Sequence, residues 1–326
     1  MNNTLQNMHP IDTSQKLRYI PPSKDNTAAV IITYNPDVDF EQRLQSLVSQ
    51  VKQICIVDNA SNPDERAMIG KLLADESANI VAYFNSENLG VAEGLNIGIK
   101  HCLEQGFDWV VTLDQDSSVS SDFLLQAAAT FARASQNDDR VVSISPSLFP
   151  YIKENLKVDL QSKEVSNPSS TIDCKYEIVH TCLTSGNILL LDVVLELGFF
   201  DKHLFIDHVD HDFCFKLNKN DYKIIKAINC VLFHDIGIPT PHKLFFKTFQ
   251  TRNHTPLRIY YIFRNSLFMY ARYMSTEPRW VLYDFRTNLC NRLLKILLWE
   301  DKKIEKIRYA VRGIADAVFG NMGRIS

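Results

Sequence analysis

The sequence predicts an α/β protein: a doubly wound, mostly parallel sheet flanked by helices, with a C-terminal helical extension. Three observations predict it. Short apolar runs alternate with segments of helical period. Each early run ends in a polar cluster. The balance of charge reverses after residue 242, where the alternation stops. The 326 residues suit one large α/β domain plus an appendage. The boundaries read as a loosely ordered polar leader over 1–26, an α/β domain over 27–240, and a basic, amphipathic helical region over 241–326.

The first run, Ala28 to Tyr34, is continuously apolar and ends in Asn35-Pro36, as a strand buried on both faces does before a turn. Phe40, Leu44, Leu47 and Val48 then take helical spacing. Gln53 to Asp58 is a second strand, closed by Asn59-Ala60-Ser61-Asn62-Pro63, and a helix through Met68, Leu72 and Leu73 follows. Ile80 to Phe84 is a third strand, Val91 to Gly106 a helix, and Trp109 to Leu113 a fourth strand. Phe123 to Ala132 is helical and Val141 to Ile144 is a fifth strand. Alternation of this pitch makes βαβ units, whose ligands sit at the carboxyl ends of the strands. Residues 151–180 read as a crossing to an antiparallel extension, and Ile188 to Leu197 as a strand running into a helix. Past His242, basic and aromatic residues fall at helical spacing and no strand is expected.

Composition excludes several classes. Hydrophobic residues at 45% and charged residues at 22% are ordinary for a globular chain. A net charge of -3 gives no pull toward nucleic acid. Residues 1–242 carry 19 Lys/Arg against 32 Asp/Glu, and residues 243–326 carry 16 against 6. The body is acidic and the tail basic, so the tail faces either the body or an anionic surface. Seven cysteines without a C-x-x-C pair indicate neither a disulfide framework nor a structural zinc site, and a reducing compartment. Met1 to Lys16 lacks the apolar stretch of a signal peptide, and no run approaches the length of a membrane span.

Three stretches carry chemistry. Thr112-Leu113-Asp114-Gln115-Asp116-Ser117 sets two carboxylates two positions apart after a buried strand. In extended backbone both project to one side, where they can hold Mg²⁺ or Mn²⁺ with phosphate oxygens completing the shell. An isolated D-x-D is weak evidence, because Asp is common in turns; its place at a strand end strengthens it. Asp58 ends another buried strand. It can accept the imino N–H of a pyrimidine base, or serve only an Asx turn. Phe205 to Cys214 gathers Asp207, His208, Asp210, His211 and Asp212 between apolar residues. A carboxylate there is suited to general-base work; metal binding is the alternative, although the spacing fits no standard zinc pattern.

Taken in order, these motifs resemble family 2 glycosyltransferases of the GT-A fold, and most of all their bacterial rhamnosyltransferase branch. The resemblance is carried by Ile31 to Asn35 with Val57 to Ser61, by Asn88 to Asn96, and by Leu113 to Ser117. It continues through Thr184 to Asn187, Phe205 to Asp212 and His234-Asp235-Ile236-Gly237. It covers about residues 28–240 and extends weakly through Arg258 to Asn265. It implies that Thr33, Tyr34 and Asn35 line the nucleoside pocket and that Asp58 reads the base. Asn88, Gly90 and Asn96 fall in the donor-side loop and helix, and Gln115 lies within the donor-binding stretch. Asp114 and Asp116 hold the ion, with His234 near the diphosphate or metal. Ser185, Gly186 and Asn187 border the acceptor. The family's Glu-Asp-x-Asp stretch reads Val209-Asp210-His211-Asp212 here. Asp210 therefore inherits the base role, with Asp207 its rival. Lys216 stands where the family has Arg, which Lys does not replace equivalently.

The implied reaction is an inverting, metal-dependent transfer of L-rhamnose from dTDP-rhamnose. Its acceptor is a glycan or lipid-linked glycan of a bacterial surface polysaccharide such as O-antigen or capsule. The compartment is cytoplasmic, with peripheral contact to the cytoplasmic face of the inner membrane. A UDP-hexose donor is the alternative within this fold. A sugar-phosphate nucleotidyltransferase would need a Gly-rich, basic N-terminal loop that Val30 to Asp37 does not provide. A non-catalytic carbohydrate-binding protein would not need Asp114, Asp116 and Asp210 together. Residues 279–299 predict an amphipathic helix with Leu282, Phe285, Leu289, Leu293 and Ile296 on one face. It suits an anionic membrane, the catalytic domain or a second subunit in a homo-oligomer.

Overall fold

The computed structural model describes residues 19–74, 79–150, 174–234, 240–244 and 247–325. Strand β1 (Thr27–Thr33) is buried along its whole length. It pairs in parallel with β2 (Gln53–Asp58) and β4 (Trp109–Asp114), and β3 (Ile80–Phe84) adds in parallel beyond β2. Helices α1 (Phe40–Val48), α2 (Pro63–Leu72), α3 (Gly90–Glu104) and α4 (Phe123–Asn137) connect or follow these strands. The register sets Thr33 opposite Asp58, Asp58 opposite Phe84, and Ile32 opposite Asp114. The polar strand ends therefore share one edge, as the sequence predicts.

Beyond β4 the sheet changes character. Strand β8 (Asn187–Leu190) runs antiparallel to both β4 and β6 (Val141–Pro150). Strand β9 (Lys223–His234) is parallel to β6, and its other edge takes β7 (Tyr176–Val179) and β5 (Ser117–Val119), both antiparallel. The sheet is thus parallel in its first half and mixed in its second. An antiparallel neighbour needs no crossover helix, so the second half can be built from short segments. Asp114 and Asp116 flank the point where the chain leaves the parallel half and enters β5. The strand reading of Ile188 onward holds: β8 runs straight into α5 (Leu191–Glu196). Residues 151–173 lie outside the described residues, as does the 1–18 portion of the leader. Residues 19–26 touch the domain at Ile20, whose O accepts from Trp109 Nε1 at 2.9 Å, and at Tyr19, which lies against the core. All seven cysteines are free thiols, with Cys55, Cys102, Cys214 and Cys230 buried.

The region after residue 240 opens with a hairpin of β10 (Thr240–Leu244) and β11 (Lys247–Thr251), which the helical spacing did not anticipate. Each strand is too short to show a period against the long helix that follows. That helix, α7 (Pro256–Tyr273), starts at a Thr255 cap with Pro256 in its first turn. Its Met269 and Tyr273 enter the main core, while Ile259, Ile262, Phe263 and Tyr270 found a second apolar cluster. Helix α10 (Lys303–Phe319) crosses α7 closely: a Cβ on Gly313 would stand 2.5 Å from Tyr260 O. The predicted 279–299 helix exists as α8 (Pro278–Asp284), a π-helical turn (Phe285–Cys290) and α9 (Asn291–Leu298). The wider turn puts the apolar stripe out of phase. Leu289 and Ile296 are buried, whereas Leu282, Phe285 and Leu293 are exposed. Among the described residues, no helix is long and apolar enough to cross a membrane.

Candidate active site

A cleft of about 800 Å³ opens over the polar ends of the parallel strands. One wall comes from β1, β4 and β9, and the other from the loop before α6 (Val209–Lys219) and from the C-terminal region.

Asp114, Asp116 and His234 offer ligand atoms all within 4.8 Å of one another. Among the described residues, buried Asp116 Oδ1 has no hydrogen-bond donor, although His234 Nδ1 approaches it at 3.2 Å. Burial, then the like charge of Asp116, pushes the Asp114 carboxyl up to about 6. Two crowded carboxylates and an imidazole, with one oxygen left unsatisfied, fit a hard divalent cation, which would reverse that shift. The floor beneath them is fixed: Asp114 N donates to Ser185 Oγ (3.1 Å), Ser185 Oγ meets Ser117 Oγ (2.8 Å), and Ser117 Oγ meets His234 Nδ1 (2.7 Å). Asp235, Ile236 and Gly237 of the His234 motif lie outside the described residues.

The strand-end turns are laced together. Gln115 accepts from Tyr34 N (2.7 Å) and donates to Tyr34 O (3.2 Å), so it clamps the turn after β1. Asn35, at positive φ, donates from its backbone to Ser61 Oγ and accepts from Asn62 N. Asp58 lies deeper. Its carboxylate accepts from Thr33 Oγ1 (3.0 Å), Ser61 N (3.0 Å), the Ser61 hydroxyl and Arg66 Nε (3.1 Å). Thr33, Tyr34 and Asn59 face the cleft above it. Asn88 Oδ1 accepts from Gly90 N at 2.9 Å, and both residues line the cleft. Gly90 needs to be glycine twice over: its φ is +84°, and a Cβ would stand 2.5 Å from Phe205 O.

Other residues named from the sequence sit behind the cleft. Asn96 is buried, with its amide spanning Phe200 N and Phe200 O at 3.0 Å each. It ties α3 to the loop approaching α6. Ser185, Gly186 and Asn187 form the floor under Asp114; Gly186 N donates to Thr112 O and Asn187 Oδ1 accepts from Ser143 Oγ. Leu183 and Thr184 are the members of this stretch that line the cleft.

Asp210 opens α6 and lines the cleft, held by His211 N (2.8 Å) and His211 Nδ1 (2.9 Å). Burial favours its neutral form, but the charge of His211 outweighs this and holds the carboxyl below its ordinary range. Burial likewise opposes charge on His211, yet Asp210 raises the imidazole to about 9. The pair is therefore ionic at neutral pH. Asp207 is engaged differently: Arg258 Nη2 donates to it at 2.9 Å. Asp212 faces the core, gripped by Arg272 (2.7 Å), Tyr273 (2.8 Å) and Lys216 (3.3 Å). Lys216 thus serves a buried carboxylate and Phe199 O.

Phe205, Asp207 and His208 all have positive φ near 65°, a conformation that costs about 1–3 kcal/mol per non-glycine residue. Neighbouring residues of α7 hold them there. Buried Asn265 donates from Nδ2 toward Leu204 O (2.7 Å), Ile206 O (2.7 Å) and Asp207 O (3.1 Å). Buried Arg264 reaches His203 O (3.1 Å), Leu204 O (3.2 Å) and Gly323 O (2.5 Å). Sequence reading passed over the positioning role of this Arg-Asn pair. It also missed that Arg252, His254, Arg258 and Arg292 line the cleft; the only signal was the basic excess past residue 242.

A parallel strand-end cleft with a cation-suited Asp-Asp-His trio and a separate carboxylate fits a glycosyltransferase of the GT-A type. The chain belongs to glycosyl transferase family 2, whose model matches residues 28–196. It is 26% identical over 316 residues to the dTDP-rhamnosyl transferase RfbF of Shigella flexneri, covering 91% of this chain and 97% of that one. In fold it is similar to S. aureus TarS 1-349, with a TM-score of 0.56, 14% identity, and 90% and 81% of the two chains covered. It is also similar to the mannosyltransferase PcManGT of Pyrobaculum calidifontis in complex with GDP-Man and Mn²⁺. That match has a TM-score of 0.54 and 15% identity, and covers 93% and 88% of the two chains.

Proposed function

We propose that this glycosyltransferase moves L-rhamnose from dTDP-rhamnose to a hydroxyl of a growing, lipid-linked bacterial surface polysaccharide such as O-antigen or capsule, inverting the anomeric centre. The observation that carries the donor is the likeness to a dTDP-rhamnosyl transferase along nearly the full length of both chains. The Thr33–Asn35 turn, rooted on Asp58, takes the nucleoside, and the Asn88–Gly90 loop borders the phosphates. Asp114, Asp116 and His234 would hold Mg²⁺ or Mn²⁺, and that ion, when bound, supplies the charge that makes a nucleoside diphosphate a good leaving group.

Asp210 is deprotonated and faces the cleft, so it accepts the proton of the acceptor hydroxyl. The acceptor oxygen forms its bond to the anomeric carbon as the bond from that carbon to the diphosphate oxygen breaks, on the opposite face. A single displacement inverts the centre and needs no sugar–enzyme bond. The His211 cation beside Asp210 keeps the carboxylate oriented and ionised until attack.

The test is a donor screen read by product mass, with anomeric configuration read by NMR. Rhamnose added from dTDP-rhamnose with inversion is the expected product. Transfer from UDP-hexoses alone would overturn the donor, and release of pyrophosphate would overturn the reaction class.

A further inference from the structure

The basic excess of the C-terminal region is concentrated where it meets the cleft. Arg252 and His254, from the stretch joining β11 to α7, Arg258, from the first turn of α7, and Arg292, from α9, line the same cleft as Asp114 and Asp116. Their guanidiniums outnumber the carboxylates that answer them. Arg258 reaches Asp207 at 2.9 Å. Arg292 bonds only Asn288 Oδ1, at 3.2 and 3.3 Å, and Arg252 has no ion-pair partner among the described residues. Asp284, the other carboxylate that α8 brings to this cleft, accepts from Tyr270 at 2.6 Å. The cations work against one another: burial, then Arg292, Arg258 and Arg252, press His254 down to about 4.

The wall is built, not loose. Asn253 sits between Arg252 and His254 with φ +45°, its Oδ1 accepting from Lys306 Nζ (2.6 Å) and its Nδ2 donating to Asp301 (2.7 Å). Lys306 is itself buried against Glu300 at 2.7 Å. Three arginines lining one cleft, with a single carboxylate pairing, Arg258 to Asp207, among the described residues, are matched to a phosphate, which guanidinium binds through paired N–H donors.

The two faces of the 278–298 helical stretch indicate which phosphate. Asn288 and Arg292 turn to the cleft. Leu282, Phe285, Leu293 and Leu297 stay exposed, between 39% and 66%. Exposed apolar side chains grouped beside a basic cleft suit a ligand with an anionic head and an apolar tail. The donor diphosphate already has the Asp114–Asp116–His234 trio to gather a cation for it.

We propose that Arg252, Arg258 and Arg292 form a subsite for the phosphate or diphosphate through which the acceptor glycan is joined to its lipid, with the lipid leaving along the exposed face of 282–297. This rests on the transferase reading above and adds to it the group that carries the acceptor.

Calorimetric titration of the full chain tests the subsite apart from transfer. Inorganic pyrophosphate is titrated in EDTA, so that no cation can hold it on the acidic trio. Saturable binding is expected, at least tenfold weaker in R252Q/R292Q and largely regained in R252K/R292K. Farnesyl diphosphate should bind more tightly than pyrophosphate and respond to the same variants. Thymidine diphosphate with Mn²⁺ should bind the glutamine variant within threefold of the parent. Absence of saturable pyrophosphate binding, or equal binding by parent and glutamine variant, overturns the subsite. An equal loss of thymidine diphosphate affinity assigns the arginines to the donor and overturns the acceptor assignment. Farnesyl diphosphate binding no better than pyrophosphate removes the lipid-linked source. A chain that binds pyrophosphate through these arginines but transfers no rhamnose would leave the subsite standing and fail the rhamnosyltransferase reading.

Discussion

The ends of β2 and β4 sit two strands apart in one sheet, and each presents aspartate, yet the two are opposites. At the end of β2, Asp58 receives hydrogen bonds from Thr33, Ser61 and Arg66 until its oxygens are satisfied. At the end of β4, Asp114 and Asp116 crowd each other, and Asp116 Oδ1 has no donor. The first carboxylate has its needs met within the chain and holds turns together. Among the described residues, no donor hydrogen-bonds the free oxygen of the second pair. At a strand end that opens on a cleft, unmet demand says more about a ligand than the presence of Asp does.

That contrast can be broken experimentally, beginning with the largest effect. Chelation of divalent ions should reduce turnover to background, with Mn²⁺ or Mg²⁺ restoring it; full activity in EDTA would erase the distinction between the strand ends. Asp210→Asn should lower kcat by about 10²–10⁴-fold while leaving nucleotide affinity unchanged in calorimetry. If Asp207→Asn lowers kcat that far and Asp210→Asn does not, the base is Asp207. Asp58→Ala should cost about 3–5 kcal/mol in urea unfolding, because it strands Arg66 and the strand-end donors. Asp116→Asn should instead leave the ion-free chain as stable or more so, by relieving like-charge repulsion, while abolishing transfer.

The smallest effect concerns pH. His211 is raised from 6.5 to about 9 in the folded chain, so it binds its proton more tightly there than when unfolded. Its contribution to stability is therefore complete below pH 6.5 and is lost as pH rises through 9. Urea midpoints should fall across that window, and His211→Gln should flatten the fall. A midpoint that stays level in the parent would show that Asp210 does not hold the proton on His211.

Much of the parallel half was legible in the sequence. Runs such as Ala28 to Thr33 are apolar throughout because both faces are covered, and their polar ends mark the ligand edge. The Asp114–Asp116 pair and His234 could be grouped only through motif resemblance, since 117 residues separate Ser117 from the imidazole it bonds. Whether an amide or carboxylate faces a cleft or a backbone is decided by distant partners, such as Phe200 for Asn96, which the local sequence does not show. The helix over 279–299 carried a stripe of correct period for an α-helix, and a π turn then set half of it facing outward. Hydrophobic periodicity does not reveal such a turn, since it assumes one pitch throughout.

The grip of Arg264 and Asn265 on the 203–207 backbone has a consequence for how the enzyme comes into being. The bend that places Asp210 is unfavourable for the residues that form it, and the side chains that enforce it are synthesised some sixty positions later. Arg264 in turn is anchored on Gly323. During translation, the parallel strands are therefore made before the side chains that enforce this bend. The bend is complete only with α7 and the residues around Gly323 in place.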